Sequence, residues 1–565
     1  MLFESELHKK NGILAKKDVS MKNILIAILM INLPFGAQAS QSPDVSFDFV
    51  KKCTSSTNCD LLLFSEILKI YRPSKEETAA ADYIWSLKTL AENFIWKSPL
   101  WAQRDQIGNI VIRLPGTGKF KGDHKAKYFA LQSHMDMVLA YADAKPGEDI
   151  RKYFVNGITP EVIDGWIYSK AKKTTLGSDN GIGMAMSLRY LLDPRISHPP
   201  LELIYTVQEE IGLVGASNLK IPLLSRQMLC LDGMTPEPGM IIAGAQGGAT
   251  GLIKAPIKGE VSLPNSSFVQ VTLTKLAGGH SGGAIHLKVL NGIRALAAVF
   301  DELLKFDSTS RTQRIVAGDI GIYNKIPNLF QATFLINSTR PAAEIKVAIE
   351  NRLKAVIAAL PDENKAYNLD IQFANASAAI QVATTAETLA FFQGVITSPN
   401  GVLETDPKFP NGVKTSSNLS FWSFGTTSSA GVKRSDDPPM SYRFGFMSRS
   451  FTDEGLKKTF DAVSSSLMNP LGPLTKPTIE NASYFPPWMA PANSTLLKKA
   501  LSLKDVFQKT YFLAGGLEPS VFSKTYPDMD VLAIGPLTMG AHTVNERLEI
   551  TSVARISKAI EKLLQ

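Results

Sequence analysis

Thr206-Val207-Gln208-Glu209-Glu210-Ile211-Gly212 decides the reading of this chain. An apolar, strand-like run from Leu201 to Val207 ends there in two adjacent carboxylates and a glycine. Neighbouring side chains on an extended chain point to opposite sides, so Glu209 and Glu210 cannot do the same work. One can bind a cation while the other faces a substrate or water. Alone, such a pair is most simply a solvated acidic turn. The pattern recurs, however. Tyr128–Gln132 reads as a strand delivering Ser133-His134-Met135-Asp136, and Gln227–Leu231 as a strand delivering Asp232. Gly177-Ser178-Asp179-Asn180-Gly181 runs into a helix from Ile182 to about Leu192. Strands alternating with helices, with polar residues where the strands end, predict an α/β fold. Its mostly parallel sheet should carry a site at the carboxyl edge.

At 565 residues the chain exceeds one ordinary domain. With 44% hydrophobic and 20% charged residues it is globular in composition and has ample core. Helical spacing runs through residues 60–98, and Ile107–Leu114 reads as a strand. Gly116-Thr117-Gly118-Lys119 lacks the full spacing and the following helix of a phosphate loop, and reads as a turn. From about residue 255 the character shifts. Val261–Leu276, Gln331–Ile336 and Tyr442–Ser448 read as strands, Val289–Leu304 and Ala342–Ala359 as helices. Asn411–Met440, rich in Ser, Thr, Gly and Pro, reads as a long loop. The expected organisation is a first domain begun over 40–253, an inserted α+β domain over 254–472, and a return to the first domain over 473–565. In that return Leu496–Thr510 reads as a helix, Met529–Ile534 as a strand and Ser552–Leu564 as a terminal helix.

The net charge of +8 is spread over scattered Lys and Arg, with no basic stripe interleaved with aromatics, which argues against a nucleic-acid partner. Lys22-Asn23, the apolar run Ile24–Leu33 and Ala37-Gln38-Ala39-Ser40 have the layout of a signal peptide cleaved after Ala39. The polar residues 1–20 ahead of it then read as an upstream extension, with the true start at Met21. Residues 1–39 hold five Lys against three acids, so cleavage lowers the balance from +8 to +6. An exported protein, periplasmic or secreted, is expected, with no membrane span after cleavage. Cys53 and Cys59 can close a small disulfide loop or stay reduced, and Cys230, in an apolar run, reads as a buried thiol.

The candidates for chemistry are His134, Asp136, Asp179, Glu209, Glu210, Asp232 and His542. Together they offer imidazole and carboxylate donors in the proportions zinc accepts, with no thiolate placed to suggest a structural Cys site. A pair of ions needs one shared carboxylate, a His and a further carboxylate for each ion, and a base left over. The chain offers that list.

His134-x-Asp136, Gly177-x-Asp179-Asn180-Gly181, Glu209-Glu210-x-Gly212, Leu231-Asp232, Gly278-Gly279-His280-Ser281-Gly282 and the late His542 follow one another in this order. The set resembles the co-catalytic zinc exopeptidases that include the carnosinases and carboxypeptidase G. Within them, the Ile534-Gly535-Pro536 strand, the Asn324-x-Ile326-Pro327 segment and the large insert are similar to the aminoacyl-histidine dipeptidases, over roughly residues 60–565.

The resemblance implies two Zn2+, with Co2+ or Mn2+ able to replace them. Asp179 would bridge the ions, His134 and Asp232 would complete one, and Glu210 and His542 the other. Glu209 would be the general base working on a metal-bridged hydroxide, and Asp136 would hold His134 in its tautomer. The insert would be a lid and a homodimer contact. Its His280 would stabilise the oxyanion, while Asn324, Arg449 and the backbone at Gly516 would hold a small peptide substrate, Arg449 by its C-terminal carboxylate. One departure stands out: the family's His two residues before the matching Gly is Ala514 here. That leaves the side-chain preference open. The implied activity is an exported zinc dipeptidase cleaving Xaa-His or broader Xaa-Xaa dipeptides. A deacylase of N-acyl amino acids with the same metals is the alternative. A non-catalytic binding protein of the same fold is a third reading, disfavoured because every ligand and the base are present.

Overall fold

The computed structural model describes residues 43–145, 148–362, 365–425 and 440–565. The chain forms two compact units. The first runs to Met240 and takes up Lys498–Gln508 and Ala533–Gln565; the second is Ile241–Leu497 with Lys509–Leu532. The division thus falls ahead of residue 253, and the chain returns beyond Leu497 in two pieces rather than once at 473. The physical reason is the run Gly247–Pro256. Read as the tail of the first domain, it is an inner strand of the second unit's sheet.

In the first unit, α1 (Phe47–Ser55) starts at Ser46, whose hydroxyl accepts from the Phe49 N–H. Cys53 in α1 is disulfide-bonded to Cys59 at the start of α2 (Cys59–Ile67). After α3 (Thr78–Ala91) come β1 (Ala102–Arg104), β2 (Ile110–Leu114), β3 (Phe129–His134), α4 (Ser178–Leu192), β4 (Leu201–Thr206) and β5 (Gln227–Cys230). These strands lie in the order β1-β2-β4-β3-β5. β2 runs antiparallel to β1 and β4, while β3 is parallel to both β4 and β5. The fold is α/β as expected. Its sheet is mixed, and the parallel part is the part that bears the candidate residues. β3 and β4 are buried along their whole length, as strands covered on both faces must be. α4 packs on β3 and α2. The C-terminal helix Ile550–Leu563 is tied in through Ser557, which donates to the buried Asp60, and Glu561, 2.6 Å from Arg189.

The second unit contains β6 (Gly247–Pro256), β7 (Ser267–Thr274), α5 (Gly292–Leu303), β8 (Arg311–Ala317), β9 (Phe330–Leu335), α6 (Ala342–Ala358), β10 (Asn368–Asn375), α7 (Thr385–Thr397), β11 (Val413–Phe424), β12 (Ser441–Ser450), α8 (Asp453–Met468) and β13 (Thr478–Phe485). The strands form an antiparallel sheet in the order β10-β7-β9-β8-β11-β12-β6-β13. Its core joins α5 and α7 to the sheet through stacked rings: Phe300 on Phe392 at 3.9 Å and Phe391 on Tyr442 at 3.7 Å. Such pairs add about 0.5–1.5 kcal/mol each beyond their area.

Two expectations change here. The expected loop over Asn411–Met440 contains the twelve-residue strand β11. Its Thr415, Ser416, Ser417 and Asn418 are buried, and partners inside the unit serve two of them. Thr415 shares a hydrogen bond with Ser450, and Asn418 donates to the Lys325 carbonyl. The expected helix Leu496–Thr510 is a helix over Thr495–Ser502 followed by a strand over Lys509–Leu513. Cys230 is a buried free thiol. No helix among the described residues is long and apolar enough to cross a membrane.

Candidate active site

Three adjacent parallel strands of the first unit each end in a candidate residue. His134 closes β3, Glu209 and Glu210 follow β4, and Asp232 follows β5. Asp179 enters from the first turn of α4, and His542 from the segment ahead of the strand Arg547–Glu549. The turn after β4 is shaped by local chemistry. Gln208 sits at φ +53°, its N–H donating to Glu77 at 2.9 Å, and the Val207 N–H donates to the buried Asn109 at 3.1 Å. Gly212, at φ +115°, and Leu213 both donate to the Glu209 carbonyl.

Asp179 is the hub. Its Oδ1 is 3.0 Å from His134 Nε2 and its Oδ2 is 3.0 Å from His542 Nε2. A second carboxylate stands beside each imidazole: Asp232 Oδ2 is 3.9 Å from His134 Nε2, and Glu210 Oε2 is 2.9 Å from His542 Nε2. Donor atoms of His134, Asp179 and Glu210 all lie within 4.8 Å of one another. His134, Asp179, Glu210 and Asp232 are buried, and His542 is half-exposed.

Asp136 holds this arrangement from behind. His134 Nδ1 is 3.3 Å from its carboxylate and 3.2 Å from its carbonyl, which leaves Nε2 as the nitrogen that faces Asp179. The same carboxylate accepts from the N–H groups of Glu209 (3.0 Å) and Glu210 (3.2 Å) and from the Ser74 hydroxyl (2.7 Å). One side chain therefore sets both the imidazole and the acidic turn.

The charges do not balance. Burial, and then the neighbouring Asp179, push the Glu210 carboxyl up to about 7. Burial opposes the charge of His542, but its hydrogen bonds to Asp179 and Glu210 win and carry it up to about 11. Burial likewise opposes His134, and Asp136 and Asp179 hold it well above the usual range. The two imidazoles, raised against burial by the carboxylates around them, report negative charge that welcomes a cation. Glu210 Oε1 is buried and has no hydrogen-bond partner among the described residues. Leaving a buried acceptor so costs about 1–3 kcal/mol, which a bound ion would recover.

Sequence reading missed two buried residues. Glu546 accepts from the N–H groups of Leu176, Gly177 and Asp179 and from the Ser178 hydroxyl. Arg72 donates to the carbonyls of Met135, Asp136 and Gly177. Neither carries a local signal, since their partners lie far along the chain. Asn180, quoted in the motif but given no role, donates to Leu231 O and Asp232 Oδ1.

The other candidates lie in the second unit. His280 belongs to a short strand paired with Lys325–Ile326, and its Nδ1 accepts from the N–H groups of Gly282 and Gly283. Ser281 links three elements: its N–H donates to the Asn324 carbonyl, its hydroxyl accepts from Arg449 Nε at 3.2 Å, and Arg449 Nη2 lies 3.4 Å from His280 Nε2. Arg449 is buried, no carboxylate pairs with it among the described residues, and burial pulls its guanidinium down to about 10. Gly516 packs against the Phe485 ring, where a Cβ would stand 2.7 Å from a ring carbon.

No protein-family model matches the chain. The cytosol non-specific dipeptidase of Escherichia coli (strain K12) is 30% identical over 517 residues, covering 89% of this chain and 96% of the relative. The chain belongs to the M20 metallopeptidase family. Among solved structures, the aminoacylhistidine dipeptidase of Vibrio alginolyticus matches this M20 chain with a TM-score of 0.66 and 25% identity. That match covers 89% of this chain and 96% of the other. The aminopeptidase PepT of Bacillus cereus ATCC 10987 matches at a TM-score of 0.51 and 15% identity, over 90% and 98%, a likeness of fold alone. As an M20 metallopeptidase the protein is an enzyme that uses a divalent metal, and the imidazole and carboxylate donors around Asp179, with the orphaned Glu210 oxygen, fit one.

The comparison also corrects the expected export. The relative matched along almost its whole length is a cytosol enzyme, so a periplasmic or secreted location is not supported. The signal-peptide reading of residues 1–39 rested on the order of a basic segment, an apolar run and an Ala-x-Ala site, and that stretch lies outside the described residues.

Proposed function

We propose that this M20 metallopeptidase is a dipeptidase that hydrolyses Xaa-Xaa dipeptides, Xaa-His among them, with two Zn2+ held around Asp179. One observation carries the reading: two imidazoles face the two oxygens of one buried carboxylate, each at 3.0 Å, with a further carboxylate beside each. His134 and Asp232 would hold one ion, Glu210 and His542 the other, and Asp179 would be shared. Such ions, when bound, polarise a carbonyl and bring the pKa of water towards neutrality. Glu209 takes the proton of the attacking water and passes it to the leaving amine. Asp136 keeps the His134 proton on Nδ1 and fixes the turn that presents Glu209.

In this reading the second unit is the lid and the homodimer contact. His280, whose Nδ1 is occupied by two N–H donors, keeps its proton on Nε2 and offers it to the developing oxyanion. Arg449 pairs the substrate's C-terminal carboxylate, the counter-ion it otherwise lacks among the described residues. Asn324 and the backbone at Gly516 complete the substrate contacts. The dipeptide substrate class is supported by the names of the two relatives that cover nearly their full length.

A panel of dipeptides with and without C-terminal His, run beside N-acyl amino acids with and without chelator, tests the reading. Chelator-sensitive cleavage of dipeptides is expected. Turnover that survives chelator would sink the metal assignment, and preference for N-acyl amino acids would make the enzyme a deacylase.

A further inference from the structure

We infer that Glu546 is a positioning residue that docks the segment carrying His542 onto the segment carrying Asp179. The inference rests on the metal reading above and adds a residue to it. Glu546 Oε2 accepts from the N–H groups of Leu176 and Gly177, both at 2.8 Å, and Oε1 from the Ser178 hydroxyl at 2.7 Å and the Asp179 N–H at 3.1 Å. Four consecutive residues are held by one buried carboxylate. With both oxygens so engaged, Glu546 is not itself a ligand.

The need for it arises from the irregular entrance to α4. Gly177 stands at φ +74° with no side-chain cap, and Asp179 and Asn180 depart from helical geometry. The N–H groups of such an entrance have no partner within the helix, and a negative charge suits them. Glu546 supplies both from more than three hundred residues further along the chain. Arg72 grips the same peptide run from the other side, donating to the Gly177 carbonyl and to the carbonyls of Met135 and Asp136 beside His134. Gly177 is therefore held at its N–H by Glu546 and at its C=O by Arg72. On the His542 side, the Thr543 N–H donates to Gly540 O and the Glu546 N–H to Thr543 O. That short, closed segment makes the place of His542 depend on where the carboxylate docks.

Glu202 is the comparison that separates positioning from mere stability. It is equally buried and accepts from Arg113, from the Leu224 N–H and from Ser225, at the opposite end of β4 from the cluster. The full-length metal-free protein is titrated with Co2+ and followed by visible absorbance. Glu546→Gln sets an amide NH2 against N–H donors and should weaken Co2+ binding by about 10–100-fold. Glu202→Gln should lower the unfolding temperature and leave Co2+ affinity unchanged. If Glu546→Gln does not fold, Ser178→Ala removes one of the four bonds and no charge, and should weaken binding by about 2–10-fold. Wild-type affinity in folded Glu546→Gln, or failing that in Ser178→Ala, overturns the inference. A wild-type chain that takes up no Co2+ overturns the metal reading and this inference with it.

Discussion

The candidate clusters of the two units carry opposite charges. The first gathers Asp136, Asp179, Glu210, Asp232 and Glu546 around two imidazoles and one guanidinium. The second buries Arg449 beside His280, with no carboxylate to meet it among the described residues. The direction of the titration shifts makes the contrast concrete. Burial and Asp179 push Glu210 up to about 7, and burial pulls Arg449 down to about 10, so each moves towards losing its charge. A cation would relieve the first and an anion the second. On the proposed reading the difference teaches that binding and chemistry are prepared separately, the acidic cluster for metals and Arg449 for the carboxylate end of a substrate.

The strongest way to break that contrast is at the hub. Asp179→Ala removes the acceptor shared by both imidazoles, and is expected to strip both metals and cut turnover by more than about 10³-fold. Glu209→Gln should cost about 10²–10⁴-fold in turnover with metal content intact. Metal analysis of the two purified variants separates ligand from proton carrier; equal metal loss in both would erase the distinction. A smaller effect belongs to the second unit. Arg449→Lys keeps the charge and loses the two-pronged fork, so KM for dipeptides should rise by about 10–100-fold with metals retained. An unchanged KM would remove Arg449 from substrate binding.

The smallest effect lies away from both charged clusters. His198 is fully buried, donates from Nδ1 to the Pro199 carbonyl at 2.7 Å, and is pushed down by burial to about 4 from an ordinary 6.5. It stays neutral in the fold while the unfolded chain takes up a proton. Its stability contribution is therefore whole above pH 6.5 and is lost as pH falls towards 4, with a slope of up to about 1.4 kcal/mol per pH unit. His198→Phe should flatten the pH dependence of the unfolding midpoint in that window. An unaltered slope would show that other groups govern acid stability there.

The strand ends were legible in the sequence because each pairs a local apolar run with a polar stop: β3 with His134, β4 with Glu209 and Glu210, β5 with Asp232. β11 was illegible for the converse reason. Its Thr415–Asn418 segment looks solvated, and its polar groups find partners that include Ser450 and the Lys325 carbonyl, contributed by distant stretches of chain. Glu546 and Arg72 were hidden in the same way, since the partners of each lie far along the chain, from 63 residues off for Arg72 to 370 for Glu546. The division falls ahead of residue 253 because β6, a run of small and apolar residues buried almost throughout, carries no local mark of which domain it joins. The large-scale pattern could be read from runs of residues, whereas the supports of the site depend on pairs far apart.

Arg72 has a last consequence, for how this protein can vary. A Cβ at Gly177 would stand 2.8 Å from its Nη2, and one at Gly181 would stand 2.7 Å away. The guanidinium itself cannot retreat, because it is buried and spends its donors on three carbonyls. A cation at position 72 thus dictates the absence of side chains a hundred residues downstream. A smaller residue at position 72 would ease Gly181, whereas Gly177 would still meet the Met137 thioether at 2.9 Å and the strain of its φ of +74°.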